Sequence, residues 1–265
     1  MIARDNSPLI IGHRGASAVA PENTLAAFAR AVRDGADGIE LDVRLSHDGV
    51  PVVIHDATLP RTRLRKRLVG RLPLAQIKQI DVGSWFNQRH PSLASSEYTS
   101  QIIPTLDEVF GLLADQVSQR FLIYVELKCG PSSKRNEELA KAAIAAVRRF
   151  DLMNQAIVIS FNLRTVATVK RLDSSIRTGA LFGPRTAVRS PSSIVKAAVA
   201  SGADEILLNH RIATQKLVSA ATASDLPTVV WTVDDPRWLA RARTLGICAL
   251  MTNHPAKMIR DSKAS

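Results

Sequence analysis

Glu40 and Asp42 stand two residues apart in the run Ile39-Glu40-Leu41-Asp42-Val43. On a β-strand that spacing points both carboxylates to one face. Two acids so placed repel each other unless a positive charge lies between them. A divalent cation meets that need, and hard oxygen ligands suit Mg²⁺ or Ca²⁺ rather than zinc. The competing arrangement turns Ile39, Leu41 and Val43 inward and the acids outward. A helix-covered parallel sheet buries its outer face too, so the acids would still need partners there.

A second acid pattern closes the apolar run Tyr124-Val125-Glu126-Leu127-Lys128. Glu126 and Lys128 project the same way, as a strand-end salt bridge or as a third carboxylate and a cation for the same site. His13 follows Leu9-Ile10-Ile11-Gly12, and His55 follows Val52-Val53-Ile54. Each is read as the C-terminal end of a short strand, on either side of the Glu40/Asp42 strand. One histidine so placed is usually a packing residue, whereas two suit a general acid and a general base. His47, His90, His210 and His254 lack such a setting and are read as structural or exposed. Arg14 offers a planar fork for phosphate oxygens, and Gly15 permits a tight turn beside it. Three carboxylates, a cation, Arg14, Lys128 and two histidines fit the binding and cleavage of a phosphodiester.

The elements that hold these residues alternate. Strands are expected at 9–13, 37–43, 51–55, 121–127, 156–161, 177–182, 203–208, 227–233 and 247–251. Helices are expected at 23–34, 105–118, 134–149, 162–172, 190–200, 212–224, 235–245 and 255–261. Alternation of this kind argues for βαβ units and a parallel sheet. Nine strands compete for eight places in a barrel, and 203–208 or 247–251 is expected to be the irregular one. Helix starts are marked by Asn23 ahead of Thr24, by Thr105 with Glu108 in a capping-box pattern, by Asn162, and by Pro191 in a first turn. Residues 56–104 break the rhythm, and a stretch that long is read as a functional excursion that returns at Ile102-Ile103-Pro104.

The 265-residue length suits one (β/α)8 barrel, which needs roughly 250 residues. We therefore expect a single domain over 1–265, an α/β (β/α)8 TIM barrel with an insertion after the third strand at about 56–104. Hydrophobic residues make up 46% and aromatics 5%, so Ala, Val, Ile and Leu must fill the core. Two cysteines, Cys129 and Cys248, are too few for a disulfide framework and are read as free thiols. The run Leu9-Ile10-Ile11 is short of a signal segment's roughly 7–15 apolar residues, and no run nears the roughly 18 of a membrane span. A cytoplasmic protein without a transmembrane segment is the expectation. The net charge of +11 fits phosphate-bearing partners, but a solvated basic surface is the simpler reading. No nucleic-acid motif accompanies it, so no nucleic-acid partner is expected.

Taken in order, Ile11-Gly12-His13-Arg14-Gly15, Pro21-Glu22-Asn23-Thr24, Glu40-Leu41-Asp42-Val43, His55-Asp56 and Glu126-Leu127-Lys128 resemble the glycerophosphodiester phosphodiesterase family. Ile103-Pro104-Thr105-Leu106, Ser160-Phe161 and Trp231-Thr232-Val233 extend the resemblance over about 9–256. It implies a (β/α)8 barrel with an insertion after the third strand, and hydrolysis of glycerophosphodiesters to sn-glycerol 3-phosphate and an alcohol. It also implies Glu40, Asp42 and Glu126 as ligands of one Mg²⁺ or Ca²⁺, and His13 and His55 as the acid–base pair. Arg14 and Lys128 would hold phosphate, Trp231 would flank the glycerol, and Glu22 and Asn23 would buttress or ligate. Either water or the glycerol 2-hydroxyl serves as nucleophile.

Two departures from the family pattern stand out. Thr252-Asn253-His254-Pro255 carries Asn where the family often has Asp. Arg61-Thr62-Arg63-Leu64-Arg65-Lys66-Arg67 replaces a Gly-rich stretch, as a solvated loop or as a contact for a second phosphate or an anionic membrane. A related activity on lysophospholipids or phosphoinositides would want an apolar groove, for which Trp85, Phe86 and Tyr98 are the candidates. A non-catalytic phosphate-binding barrel is the remaining alternative, although every catalytic-type residue is present.

Overall fold

The structure is a computed structural model and describes residues 7–59, 62, 66–114 and 116–263. Among the described residues there are nine strands: β1 (Leu9–His13), β2 (Gly38–Leu45), β3 (Pro51–Val53), β4 (Leu122–Leu127), β5 (Ala156–Ser160), β6 (Arg177–Phe182), β7 (Glu205–Asn209), β8 (Thr228–Trp231) and β9 (Ala249–Thr252). All but β3 pair in parallel, in the order β1-β9-β8-β7-β6-β5-β4-β2, and β1 pairs with β2 to close the ring. This is the eight-stranded (β/α)8 barrel expected from the alternation.

The surplus strand is not one of the late ones. The segments expected at 203–208 and 247–251 form β7 and β9 and take full places in the barrel. The outlier is β3, which runs antiparallel to the end of β2, with Val43, Arg44 and Leu45 facing Val53, Val52 and Pro51. The first six residues of β2 pair with β4, and β2 then projects beyond the barrel as one arm of a hairpin. β3 is the arm that returns, and the Ile54 N–H donates to the Asp42 carbonyl at 2.8 Å. A single alternating apolar run reads the same whether it is parallel or antiparallel, so the error lay in pairing.

Helices α1 (Leu25–Arg33), α2 (Leu74–Ile77), α3 (Ser84–Arg89), α4 (Leu106–Ala114), α5 (Ser133–Arg149), α6 (Leu163–Leu172), α7 (Pro191–Ala200), α8 (Gln215–Thr222), α9 (Arg237–Leu245) and α10 (Pro255–Lys263) complete the chain. The capping box of α4 forms as expected: Glu108 N–H donates to Thr105 Oγ1 at 3.1 Å, and Thr105 N–H to the Glu108 carboxylate at 2.8 Å. Asn162 caps α6, and Pro191 opens α7 behind Ser190. The cap of α1 is Thr24 rather than Asn23. Asn23 sits one residue earlier with φ 57°, which frees its amide for the barrel mouth.

Alternation along the strands sorts side chains into two layers. Ile11, Leu122, Tyr124, Ile157, Ile159, Leu207, Val229 and Met251 fill the barrel interior. Ile39, Leu41, Val43, Ile123 and Val125 face outward against Phe28, Val109 and Phe110 of the covering helices. Loss of one such side chain, as in Phe110→Ala, costs about 3–5 kcal/mol. Deep in the barrel, Glu205 is neutralised by Arg177 and accepts from the Tyr124 hydroxyl at 3.1 Å. No helix among the described residues is long and apolar enough to cross a membrane.

Among its described residues, the excursion between β3 and α4 forms short helices, turns and two isolated β-bridges, Thr58 with Leu68 and Asp81 with Ile102. Its own small core of Leu59, Val69, Leu72, Ile77, Ile80 and Ile103 packs on Val52 of β3. Of the basic run, residues 61 and 63–65 lie outside the described residues.

Candidate active site

The C-terminal ends of the strands define the mouth of the barrel, where (β/α)8 enzymes place their catalytic groups. Register brings the acids together there. His13 of β1 is the partner of Glu40 on β2, and Asp42 of β2 is the partner of Glu126 on β4. Ile39, Leu41 and Val43 face the helices, so Glu40 and Asp42 share the inward face, the first of the two arrangements that their spacing allowed. Glu40, Asp42 and Glu126 are all buried, and an oxygen of each lies within 4.8 Å of the others.

Two cations thread this cluster. Lys128 Nζ lies 2.6 Å from Glu126 and 2.9 Å from Asp42 Oδ1. Arg14 Nε lies 3.1 Å from Asp42 Oδ2, and Arg14 Nη1 donates to Glu22 at 3.0 Å. The Arg14 backbone N–H donates to Glu40 Oε2 at 3.0 Å. That last bond needs a tight turn after β1, and Arg14 and Gly15 both take left-handed φ, 55° and 79°. A Cβ at position 15 would stand 2.6 Å from the Ala27 backbone, so glycine is required there on two counts. Asn23 grips Asp42 at both ends: Nδ2 donates to Asp42 Oδ2 at 2.7 Å, and Oδ1 accepts from Asp42 N at 3.2 Å.

Three carboxylates still outnumber the two cations that touch them. Burial, together with Asp42 and Glu126, holds the Glu40 carboxyl well above the usual carboxylate range. Burial and Asp42 raise Glu126 as well. Asp42 is also pressed upward by burial, but Arg14 and Lys128 outweigh this and keep it ionised. Glu40 Oε1 is buried without a hydrogen-bond donor among the described residues. A buried carboxylate oxygen without a donor is costly and marks a place for a cation. The donor set, three carboxylates and no sulfur, fits a hard divalent ion.

Two imidazoles border the cluster. His13 Nε2 stands 3.9 Å from Glu40 Oε2, while His13 Nδ1 is 2.8 Å from Asn253 Oδ1. Burial, with the Arg14 charge beside it, lowers the His13 pKa to about 4, so the ring is neutral near pH 7. His55 lies two residues beyond β3, not at the end of a barrel strand as expected. Two guanidinium hydrogen bonds from Arg44, at 2.9 and 2.6 Å, hold its carbonyl at the mouth. Its Nδ1 lies 2.8 Å from Asp56 Oδ1, and burial lowers its pKa too. In each ring Nδ1 has a partner, which leaves Nε2 for a substrate.

A pocket of about 540 Å³ is lined by His13, Arg14, Glu40, His55, Glu126, Lys128, Phe161 and Trp231. Trp231 and Phe161 meet edge to face at 5.4 Å, and Lys128 Nζ lies 6.0 Å from the Phe161 ring centre. The Trp231 indole N–H is buried without a hydrogen-bond partner among the described residues. Asp42 reaches the site through Arg14, Lys128 and Asn23, so the three acids, two histidines, Arg14, Lys128 and Trp231 expected from the sequence converge here. The aromatics considered for an apolar groove divide: Phe86 and Tyr98 are buried against each other, while Trp85 lines a pocket of about 440 Å³ with Val53, Ile54, Leu59, Val82 and Ile103, next to His55. Sequence reasoning missed Asp56, Arg44, Ser17 and Asp234 as supports. The useful signal would have been a polar residue just past the end of each strand neighbouring a histidine.

Comparison with known proteins agrees with this geometry. The model of the glycerophosphoryl diester phosphodiesterase family matches residues 13–257. A glycerophosphodiester phosphodiesterase of Caldanaerobacter subterraneus is 32% identical over 251 residues, which is 95% of this chain and 96% of that protein. The crystal structure of a Silicibacter pomeroyi protein described as a glycerophosphoryl diester phosphodiesterase superposes with a TM-score of 0.88 at 28% identity, covering 99% of this chain and 95% of that one. An Oleispira antarctica phosphodiesterase, solved with its product sn-glycerol-3-phosphate, gives 0.81 at 28% identity, with 97% of each chain covered. With its barrel, its convergent mouth and a family match over residues 13–257, this chain belongs to the glycerophosphoryl diester phosphodiesterase family of enzymes.

Proposed function

We propose that the protein hydrolyses glycerophosphodiesters to sn-glycerol 3-phosphate and an alcohol with the aid of one divalent cation, Mg²⁺ or Ca²⁺. The observation that carries this reading is one pocket lined by Glu40, Glu126, Arg14, Lys128 and two imidazoles, with Asp42 clustered beside both acids and Glu40 Oε1 without a donor among the described residues. Glu40, Asp42 and Glu126 would hold the ion, which supplies positive charge to phosphate oxygens and to a developing alkoxide.

The remaining chemistry belongs to the chain. Arg14 and Lys128 orient the phosphate and oppose the charge that grows on it. One imidazole takes the proton of the attacking hydroxyl at Nε2, and the other gives a proton to the departing alkoxide. The attacking hydroxyl is that of water or the glycerol 2-hydroxyl. Trp231, which lines the pocket, covers the glycerol. The Oleispira relative, solved with sn-glycerol-3-phosphate, supports a glycerol phosphate moiety as the part recognised.

The test is release of glycerol 3-phosphate from glycerophosphocholine with EDTA, and then with Mg²⁺ or Ca²⁺ restored. Loss and recovery support the reading, and the His13→Ala and His55→Ala variants are expected to fall by about 10²–10⁴-fold. Full turnover in EDTA would refute the metal, and substantial activity in both variants would refute the acid–base pair.

A further inference from the structure

We propose that Asn253, locked by Asp234, is a positioning residue that sets the tautomer and ring orientation of His13. The inference rests on the reading of His13 as a proton-transfer residue.

An amide has an acceptor end and a donor end, and in isolation it can turn either toward a neighbour. Here it has no choice. Asp234 is a carboxylate and only accepts. Its Oδ2 is 2.8 Å from Asn253 Nδ2, and its Oδ1 accepts from the Asn253 backbone N–H at 2.8 Å and from Thr252 Oγ1 at 2.9 Å. Nδ2 must therefore face Asp234, which aims Oδ1 at His13 Nδ1, 2.8 Å away. Ser17 Oγ lies 2.9 Å from the same Oδ1 and 2.8 Å from the His13 carbonyl, so its hydroxyl sits between the amide and the His13 backbone.

An acceptor opposite Nδ1 requires the proton on Nδ1 and leaves Nε2 facing the pocket. The bond survives both protonation states of the ring, because Nδ1 carries a proton in each. The imidazole can then take or give a proton at Nε2 without turning. The three groups come from the ends of three successive barrel strands: His13 ends β1, Asn253 follows β9, and Asp234 follows β8. The Ala18 N–H donates to the Asn253 carbonyl at 3.0 Å and ties the first loop to the last. Neither Asn253 nor Asp234 lines the pocket, so their effect must pass through His13. A neutral amide at 253 orients the ring without adding a fourth carboxylate beside Glu40, Asp42 and Glu126.

The geometry allows a test by exchange. In D234N the new amide can still accept from Thr252 and from the Asn253 backbone, but its NH₂ then faces Asn253 Nδ2. That conflict turns Asn253 over and presents a donor to His13 Nδ1, which inverts the tautomer at a distance. In the double variant D234N/N253D, the new amide at 234 donates to the new carboxylate at 253, and an acceptor faces His13 again.

The experiment measures kcat and KM for glycerophosphocholine in wild type, H13A, N253A, D234N and D234N/N253D, with ¹⁵N-histidine NMR to read the tautomer. We expect N253A and D234N to lose kcat by about 10²-fold with KM within about threefold, since misorientation of a reacting group acts on the chemical step. The wild-type ring should show the proton on Nδ1, D234N should lose that signature, and the double variant should recover at least about tenfold of kcat over D234N. Full kcat in N253A, a loss confined to KM, or a double variant no better than D234N overturns the inference. Full activity in H13A overturns the reading of His13 itself and the inference with it; loss in H13A with full kcat in N253A overturns the inference alone.

Discussion

The excess of negative charge at the barrel mouth has a measurable consequence for stability. Consider Glu40→Gln in protein stripped of metal. The amide oxygen can keep the bond from the Arg14 N–H, now 3.0 Å to Oε2. The amide NH₂ takes the place of Oε1, which has no donor among the described residues, in a cluster where oxygens of Asp42 and Glu126 lie within 4.8 Å of a Glu40 oxygen. One buried charge is removed and one new donor is provided. Relief of an unsatisfied buried group is worth about 1–3 kcal/mol, so the metal-free variant should be more stable than wild type by that amount. With a urea m-value of about 3 kcal/mol/M, the midpoint rises by about 0.3–1 M. The sign with pH follows from the raised folded-state pKa of Glu40. A raised carboxyl contributes stability at low pH and loses it as pH climbs through the folded value, so the advantage of the variant is largest in alkaline solution and fades in acid. Cation addition should reverse the ranking. Wild type gains about 2.7 kcal/mol at a hundred times Kd, whereas a hundredfold weaker site gains about 0.4 kcal/mol at the same concentration. Urea melts followed by tryptophan fluorescence, in EDTA and with Mg²⁺ or Ca²⁺, decide the matter. A metal-free variant weaker than wild type at pH 8, or one that keeps the full cation shift, would refute the reasoning.

Two further substitutions probe how the site is held. Arg44→Ala removes both hydrogen bonds to the His55 carbonyl, so kcat should drop by about 10²-fold while circular dichroism is unchanged, and kinetics with a melt separates this from unfolding. Gly15→Ala meets a left-handed φ of 79° and a Cβ contact of 2.6 Å with the Ala27 backbone, so it should cost more than about 1 kcal/mol by denaturant titration and displace the Arg14 N–H from Glu40.

The amino-acid sequence by itself determined the alternation of elements and the identity of the groups that meet at the mouth. Period-two spacing placed Glu40 with Asp42 and Glu126 with Lys128, because side chains on a strand share a face at every second residue. That is a local property, and it held. The capping box at Thr105 and Glu108 was legible for the same reason. What closure of the barrel decided was non-local. Whether β3 ran parallel or antiparallel depended on where β2 overshot its partner β4, and no run of residues encodes that alone. His55 reached the site by a returning hairpin and an anchor on Arg44, eleven residues back in the chain. Asn23 gave up the cap of α1 to grip Asp42. The support of His13 came from Asn253, 240 residues away, and from Asp234 behind it. Residues this distant become neighbours only when the first strand of the ring pairs with the last, so their hydrogen bonds are products of the closed barrel.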